Sequence, residues 1–212
     1  MGFVSVLTMA QRLVAERLGP GGLAVDATAG GGVDTLFLAR TAGPGGWVYA
    51  FDVQESAIAR TRERLANAGR SRDQAVETGS QTAFGDNSGT PVPLAQVELF
   101  LAGHERMAEL VPLGAHGKIR AVMFNLGYLP GGASSVITRP ETTLAALEAG
   151  LALLAPEGVL TAVLYPGHEG GDTEADTVAQ WAAEVPAAAA QTALYRFTQK
   201  PRAPYLVALE KR

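Results

Sequence analysis

Residues 23–39 read LAVDATAGGGVDTLFLA, and this stretch decides the fold class. An apolar strand predicted at Leu23–Ala27 enters a glycine turn, and a helix is predicted from about Asp34. Strand, glycine turn and helix in this order are typical of the first unit of a doubly wound α/β domain, which binds its ligand beside the turn. We therefore expect the main binding site just after Ala27.

Strands and helices alternate on both sides of this turn. An N-terminal helix is predicted through Leu18, and further helices over Glu55–Ala68, after the capping box Thr138–Glu141, and from Asp172. Further strands are predicted at Trp47–Phe51, Val97–Leu101, Ile119–Phe124 and Val159–Tyr165, the last after a helix stop at Pro156-Glu157-Gly158. A closing hairpin pairs Leu194–Thr198 with Tyr205–Glu210.

This alternation, with continuous apolar strands, predicts a parallel sheet covered on both faces. The predicted class is an α/β, Rossmann-like fold: a mostly parallel seven-stranded sheet with a C-terminal antiparallel hairpin and helices on both faces. The 212 residues suit a single domain, 1–212. Residues 69–96 are rich in Gly, Ser, Thr, Gln and Pro and lack apolar periodicity, so we predict a flexible insertion there.

Composition argues against several functional classes. The chain has no cysteine and only three histidines, so we expect neither disulfides nor a metal site. It has no apolar run of about 20 residues and no signal peptide, so we expect a cytoplasmic protein without a membrane partner. The net charge of −4 gives no global attraction to nucleic acid. Five arginines form either a local basic face or a solvated helix face: Arg60, Arg62, Arg64, Arg70 and Arg72.

Candidate cofactor residues follow the predicted strands. The glycines of the turn permit close backbone approach by a ligand. Asp52 ends the second strand about twenty residues further on, the offset at which an acid binds a ribose diol. His104 follows the third strand, near the expected adenine edge. The predicted cofactor-binding residues are Asp26, Thr28, Ala29, Gly30, Gly32, Asp34, Thr35, Asp52, Val53, Gln54, His104 and Asn125.

Two adenosine cofactors compete for this site. The diphosphate of NAD requires G-x-G-x-x-G at a helix N-terminus, but Thr35 follows where the third glycine is expected and Asp34 brings negative charge. S-adenosylmethionine has no phosphate, and its sulfonium and ammonium could face Asp26 or Asp34. The charges favour S-adenosylmethionine, with S-adenosylhomocysteine as product. Asp34 as a simple helix cap remains the plainer interpretation.

Candidate acceptor residues follow strands four and five. Methyl transfer to nitrogen needs a neutral lone pair aligned with the methyl group. The Asn125 amide oxygen and the next backbone carbonyl could accept the amine's N–H bonds, and Tyr128 could stack on a base. His168 could take a proton or only shape its loop. The predicted catalytic residues are Asn125, Tyr128 and His168, and the predicted substrate-binding residues are Leu126, Gly127, Tyr128, Tyr165 and His168. The alternative for Asn125 is a buried amide satisfying loop groups.

Six motifs occur in order: DATAGGGVDT, FDVQ, HERM, MFNLGYLPGG, ITRPETTLAALE and YPGHEGG, before the ending RFTQKPRAPYLVALEK. With them the sequence resembles the bacterial family labelled putative rRNA methylases, which includes the tRNA wobble-uridine aminomethyl methyltransferases. The likeness covers nearly the whole chain except the insertion. It implies a class I methyltransferase fold, S-adenosylmethionine as donor, and an amine on a modified wobble uridine as acceptor.

The family's cofactor-pocket motifs match position by position at Asp26, Gly30, Gly32, Asp52, Gln54 and Asn125. Two departures stand out. Gly31 and Val33 replace the Asn and His that are common in the family, and Asn125–Tyr128 reads Asn-Leu-Gly-Tyr where many amino-methyltransferases have Asn-Pro-Pro-Tyr.

The leading expectation is therefore N-methylation of the aminomethyl group of a modified wobble uridine, with tRNA as partner and a homodimer to grip it. The alternatives are methylation of rRNA or of a small-molecule amine, a cofactor-binding regulator without catalysis, and an NAD-dependent oxidoreductase.

Overall fold

The computed structural model describes residues 2–69, 93–127, 140–167, 170–200 and 202–212. Most of the insertion predicted at 69–96 lies outside these ranges, as do Tyr128 and His168. At its two ends, Gly69 is the last residue of a helix and Gln96 is the first residue of a strand. No helix within the described ranges is both long and apolar enough to cross a membrane.

The described residues form one sheet of seven strands, as predicted. In chain order, β1 to β7 are Leu23–Asp26, Trp47–Asp52, Gln96–Leu101, Ile119–Leu126, Leu154–Leu164, Ala190–Tyr195 and Tyr205–Lys211. Their spatial order is β3-β2-β1-β4-β5-β7-β6. Strands β1 to β5 pair in parallel, and β7 pairs antiparallel with both β5 and β6. The strand order reverses at β1 and β4, and ligands of such sheets bind at this switch point, beyond the carboxyl ends of the strands.

Helices cover both faces of the sheet, as the alternation predicts. In chain order, α1 to α6 are Val6–Leu18, Val33–Ala42, Glu55–Gly69, Met107–Leu110, Pro140–Leu153 and Gly171–Glu184. One apolar cluster joins α1 and α2 to the sheet, and another joins α4, α5 and α6 to its opposite face. Neighbouring residues of one strand serve both clusters, with Met123 in the first and Phe124 in the second. This explains why the central strands are largely apolar, whereas the edge strand β3 is partly exposed.

Three predicted boundaries are wrong. Helix α5 ends at Leu153 and β5 begins at Leu154, so Pro156-Glu157-Gly158 lies inside β5 and does not terminate the helix. Here the pairing register with β4 shifts and Glu157 has φ of 62°, which locally bends the strand. Asp172 lies within the first turn of α6, and the cap residue is Gly170. The first hairpin strand is Ala190–Tyr195, earlier than the predicted 194–198.

Candidate cofactor and acceptor site

The glycine turn after β1 continues the pairing of the sheet before it bends into α2. The Ala27 amide donates to Met123 at 2.8 Å, and the Ala29 amide donates to Phe51 at 2.8 Å. Gly30 and Gly32 then have φ of 54° and 76°. A Cβ on Gly32 would lie 2.8 Å from the Thr61 Cα on α3. Glycine at 32 is therefore required both by its backbone conformation and by the approach of α3.

The Asp52 carboxylate at the end of β2 is held by two backbone amides. Its Oδ2 accepts from the Gly30 amide at 2.9 Å, and its Oδ1 accepts from the Gln54 amide at 2.8 Å. A carboxylate offers about four acceptor positions, so each oxygen retains one. The carboxylate is half-buried, and its two remaining positions suit the two hydroxyls of a ribose diol.

Apolar side chains lie exposed beside this carboxylate. Val53 directly follows β2 and is 56% exposed, and Leu101 ends β3 and is 57% exposed. Asp52 and Leu101 are register partners in the parallel pair of β2 and β3. Exposed aliphatic groups next to a diol-binding acid are suited to contact with the flat base of an adenosine.

Asp26, at the end of β1, lies in the interior. The Thr28 amide donates to its Oδ1 at 3.1 Å, and the Thr35 hydroxyl donates to its Oδ2 at 2.6 Å. Burial, followed by the negative charge of Asp34, raises the pKa of Asp26 to about 7. Asp26, which is buried, and Asp34, which is half-buried, are thus neighbouring acids, and their ionised forms would attract a cation.

Asp34 does not cap α2, because the cap residue is Gly32 and the Asp34 carboxylate bonds elsewhere. The Gln11 amide donates to Asp34 Oδ1 at 3.2 Å. Burial raises the pKa of Asp34, and the side-chain amides of Gln11 and Asn125 oppose the rise. Burial and the negative charge of Asp34 raise the pKa of Tyr165, and the Asn125 amide opposes that rise. Four polar residues from α1, α2, β4 and the loop after β5 therefore form one cluster.

The backbone of Asn125 is tied directly to the glycine turn. Its amide donates to the Thr28 hydroxyl at 2.8 Å, across the switch point between β1 and β4. The predicted acceptor residue thus touches the predicted cofactor loop. Its neighbour Leu126 is buried in the core and 1% exposed, so the predicted contact of this residue with a substrate stays a prediction.

His104 is 8% exposed, in a short turn behind the glycine turn. It hydrogen-bonds to the backbone of Ala27 and packs edge-on against Phe124, with centroids 5.8 Å apart. Burial lowers its pKa, against opposing effects from Glu105, Ala27 and the buried Glu174. Its contact with a cofactor stays a prediction.

Of the predicted site residues within the described ranges, those after β1, β2, β4 and β5 lie at the same edge of the sheet. Tyr128 and His168 lie outside those ranges, so their roles stay predictions. Within the described ranges no group of three or more His, Asp or Glu side chains could hold a metal ion.

Sequence reasoning missed three neighbours of the site: Gln11, Leu101 and Thr61. Gln11 contacts Asp34 across 23 positions of sequence, and no motif marks it. Thr61 donates to the Gly30 carbonyl at 3.4 Å from α3. Leu101 was predicted only as the last residue of an apolar strand. Its pairing opposite Asp52 was the available signal, because parallel strands end at one edge.

The sequence matches the model of a known protein family. The model of the family described as "Putative rRNA methylase" matches residues 48–210, more than half of the chain. The chain belongs to this family. Membership places it among methyltransferases and confirms the predicted resemblance and fold.

Two solved structures of similar sequence have the same fold as this chain. A putative rRNA-methylase from Clostridium thermocellum is 31% identical with a TM-score of 0.84, each chain fully covered. A putative methyltransferase from Streptococcus mutans, solved in complex with SAH, is 32% identical with a TM-score of 0.78, again with full coverage of both chains.

A curated relative from Arabidopsis thaliana is named tRNA (mnm(5)s(2)U34)-methyltransferase, chloroplastic. It is 37% identical over 197 residues, which is 91% of this chain. The chain spans 64% of the length of that relative.

Proposed function

We propose that the chain is an S-adenosylmethionine-dependent methyltransferase that N-methylates the aminomethyl group of a modified wobble uridine in tRNA. The observation that carries the proposal is the 2.8 Å hydrogen bond from the Asn125 amide to the Thr28 hydroxyl. This bond joins the residue suited to hold an amine to the loop suited to hold the cofactor. The name of the Arabidopsis thaliana relative supports the choice of acceptor.

The residues present fit S-adenosylmethionine. Asp52 retains one acceptor position on each oxygen for the ribose diol, and Val53 and Leu101 offer apolar contact beside it. Asp26 and Asp34 supply negative charge near the turn, which favours a sulfonium and an ammonium and disfavours a diphosphate. The Streptococcus mutans protein, solved with SAH, supports the same cofactor.

When bound, the cofactor supplies an electrophilic methyl group on a positively charged sulfur. The chain's task is then positioning, because a neutral amine attacks such a carbon without acid catalysis. The amine nitrogen bonds to the methyl carbon, the carbon–sulfur bond breaks, and sulfur keeps that electron pair. The methylated nitrogen carries the positive charge and releases a proton to water.

Asn125 and the backbone carbonyl of Leu126 would aim the amine. Both are acceptors, so they bind the N–H bonds and leave the lone pair free to point at the methyl group. Two acceptors also favour an amine over an alcohol, because an amine can donate a hydrogen bond to each acceptor and a hydroxyl group can donate only one. Tyr165, which is half-buried in the loop after β5, would form part of the wall around the amine.

The test is methyl transfer by purified full-length chain to two tRNAs that differ only in the aminomethyl group on the wobble uridine. We expect nucleoside mass spectrometry to find one added methyl on the aminomethyl tRNA, none on the other tRNA, and much less transfer with Asp52→Asn when S-adenosylmethionine is limiting. Transfer to rRNA fragments but to neither tRNA would refute the tRNA proposal and favour the alternative that the family description suggests.

A homodimer remains part of the proposal, because a single small acidic domain offers little surface to a tRNA. Light scattering coupled to gel filtration tests it. A monomer with full activity on tRNA would rule it out.

A further inference from the structure

The turn that joins β6 to β7 carries a concentration of positive charge. Residues 196–204 contain three cations and no acid, although the chain as a whole has a net charge of −4. Arg196, Lys200 and Arg202 are all exposed, and we call these three residues the basic turn. Its backbone is bonded to itself, because the Lys200 amide donates to Phe197 at 3.1 Å and the Ala203 amide donates to Lys200 at 3.0 Å. On an acidic protein, such a segment is where a polyanion would bind.

The basic turn lies at the same edge of the sheet as the cofactor and acceptor site. Because β7 is antiparallel to both β5 and β6, β6 ends at the edge where β4 and β5 end, and β7 begins there. A Cβ on Gly167, in the loop after β5, would lie 3.3 Å from the Arg202 carbonyl oxygen. The turn therefore contacts the loop that borders the acceptor site.

The distance from the acceptor site suits a nucleic-acid backbone. Strand β7 is two strands from β4, and β6 is three strands from it. At the usual strand spacing this places the basic turn about 10–15 Å from Asn125. Successive phosphates of one strand rise about 3.4 Å along a helix. An RNA strand whose target base lies at Asn125 would thus bring phosphates to the basic turn within a few nucleotides.

The side chains of Lys200 and Arg202 are not engaged by acids. No ion pair within the described ranges includes either residue. Other basic side chains are held by ion pairs or by backbone carbonyls: Arg17, Arg60, Arg64, Arg106, Lys118, Arg120 and Lys211. Lys200 and Arg202 therefore present two positive charges to solvent at the edge that carries the site.

Arg196 differs from the other two members of the basic turn. Its guanidinium lies 5.0 Å from the centroid of the Tyr205 ring. Burial and the negative charge of Asp176 on α6 raise the pKa of Tyr205, and the positive charge of Arg196 opposes that rise. Arg196 thus has both a ring and an acid near it, so we assign contact with an outside partner to Lys200 and Arg202.

An exposed aromatic ring lies next to the basic turn. The Tyr195 hydroxyl, at the end of β6, donates to the Val4 carbonyl at 2.8 Å, which places Val4 beside the turn. The preceding residue, Phe3, is 87% exposed. Single-stranded nucleic acid is bound by cations that contact its backbone and by aromatic rings on which its bases stack. The combination fits an RNA strand better than it fits an acidic protein.

We propose that Lys200 and Arg202 bind backbone phosphates of the RNA strand that carries the target base. This inference rests on the proposed function for the choice of RNA, and it adds the surface that holds the RNA. That surface lies beyond β5, on the acceptor side of the sheet. The arginines of α3 lie beside β2 and β3, on the cofactor side, and are not part of it.

The test is equilibrium binding of the full-length chain, with S-adenosylhomocysteine present, to a fluorescein-labelled RNA stem–loop that has the loop of a tRNA anticodon arm. The variant is Lys200→Gln with Arg202→Gln, and the matched control is Arg40→Gln with Arg62→Gln. The control residues are also exposed, and both double variants remove two positive charges. We expect the Kd to rise about tenfold in the turn variant and less than about twofold in the control.

Salt dependence separates lost phosphate contacts from other causes of weaker binding. Each contact with a single strand contributes about 0.7 to the slope of log Kd against log salt concentration, so the turn variant should lose about 1.4 from this slope. The control should keep the wild-type slope. Equal Kd values and slopes in the two variants would overturn the inference, because net charge alone would then explain binding. Displacement of the RNA by polyglutamate as readily as by unlabelled RNA would also overturn it, since the surface would then bind any acidic chain.

Methyl transfer distinguishes this inference from the proposed function. With the aminomethyl tRNA as substrate, we expect the turn variant to raise the KM for tRNA about tenfold and to leave kcat and the KM for S-adenosylmethionine within about twofold of wild type. An unchanged KM for tRNA would refute the role of the basic turn and leave the proposed function standing. If the wild-type chain transfers no methyl to this tRNA, but the turn variant still binds the stem–loop less tightly than the control does, the proposed function fails and the basic turn stands.

Discussion

Two neighbouring strands of the sheet, β1 and β2, each end in an aspartate, and the two carboxylates have opposite surroundings. Asp52 is half-buried, and both its oxygens accept from backbone amides while keeping free acceptor positions. Asp26 is 1% exposed and bonds to the Thr28 amide and the Thr35 hydroxyl, with Asp34 as a like-charged neighbour. The residue type is the same, but only one carboxylate is open to a ligand.

This contrast indicates a division of labour. We expect Asp52 to recognise a neutral, directional group, because amide donors fix its oxygens and leave an acceptor position on each. We expect Asp26 and Asp34 to act through charge, because burial raises the free energy of their ionised forms and a bound cation would lower it. The first carboxylate should therefore govern affinity through its hydrogen bonds, and the second pair should make affinity and stability depend on pH.

The largest effect on cofactor binding is expected from Asp52→Asn. The amide has one acceptor oxygen, and its NH2 group faces a backbone N–H, so both ribose hydrogen bonds are weakened. At about 1.5 kcal/mol for each bond to a charged acceptor, the affinity for S-adenosylmethionine should fall about 100-fold. Titration calorimetry measures it, with the exposed Glu63→Gln on α3 as control. A change below threefold would contradict the role of Asp52.

Asp26 should have the largest effect on stability. Because its folded-state pKa of about 7 lies above the ordinary value of 3.8, the folded protein holds an extra proton between these values. The free energy of unfolding should therefore fall as pH rises from about 4 to about 7, by on the order of 4 kcal/mol, and level off above.

Asp26→Asn tests this slope, because the amide keeps an acceptor for Thr28 and a donor for Thr35. We expect urea denaturation to show a flatter pH profile for the variant, and higher stability than wild type at pH 8. Its affinity for S-adenosylmethionine should lose the tightening that wild type gains as pH rises through about 7. Identical pH profiles for the two proteins would contradict the buried-pair interpretation.

Gly32→Ala should have a smaller effect on stability. The change lies in the glycine turn, whose backbone amides donate to both Asp26 and Asp52. A Cβ there would meet the Thr61 Cα at 2.8 Å in a backbone with φ of 76°, so we expect a loss of about 1–2 kcal/mol in the free energy of unfolding. Gly31→Ala is the matched control, because nothing lies within 4 Å of the place its added methyl group would take. Equal stability of the two variants would contradict the close approach of α3.

The smallest effect is expected from Leu101→Ser, which leaves both carboxylates intact. Loss of apolar contact with the adenine should weaken S-adenosylmethionine binding by about fivefold, close to 1 kcal/mol. Leu113→Ser, at a position that is 85% exposed, should bind as wild type does. Calorimetry that finds Leu101→Ser unchanged would place the base elsewhere.

Local patterns predicted the parts of the molecule that local chemistry determines. The glycine turn and Asp52 follow from spacing along one short stretch of chain, and apolar runs indicated every strand of the sheet, although β6 begins earlier than predicted. The bend at Glu157 was misread as a helix stop, because Pro and Gly end helices in most contexts and only pairing with β4 keeps this segment in the sheet.

Contacts between distant segments could not be predicted in this way. Gln11 lies on a helix with no motif, and its bond to Asp34 depends on how α1 packs over the sheet. The difference in exposure between Asp26, which is buried, and Asp52, which is half-buried, likewise arises from packing. Sequence pattern identified the acids, but the fold determined which acid remains open.

The placement of β7 between β5 and β6 constrains the order in which the chain can fold during synthesis. β6 is made first but has no partner in the sheet until Tyr205–Lys211 has left the ribosome. Until then the buried strand β5 presents an unpaired edge, a template for association with other chains. Nascent chains stalled before residue 205 should therefore be the form that aggregates and that chaperones retain.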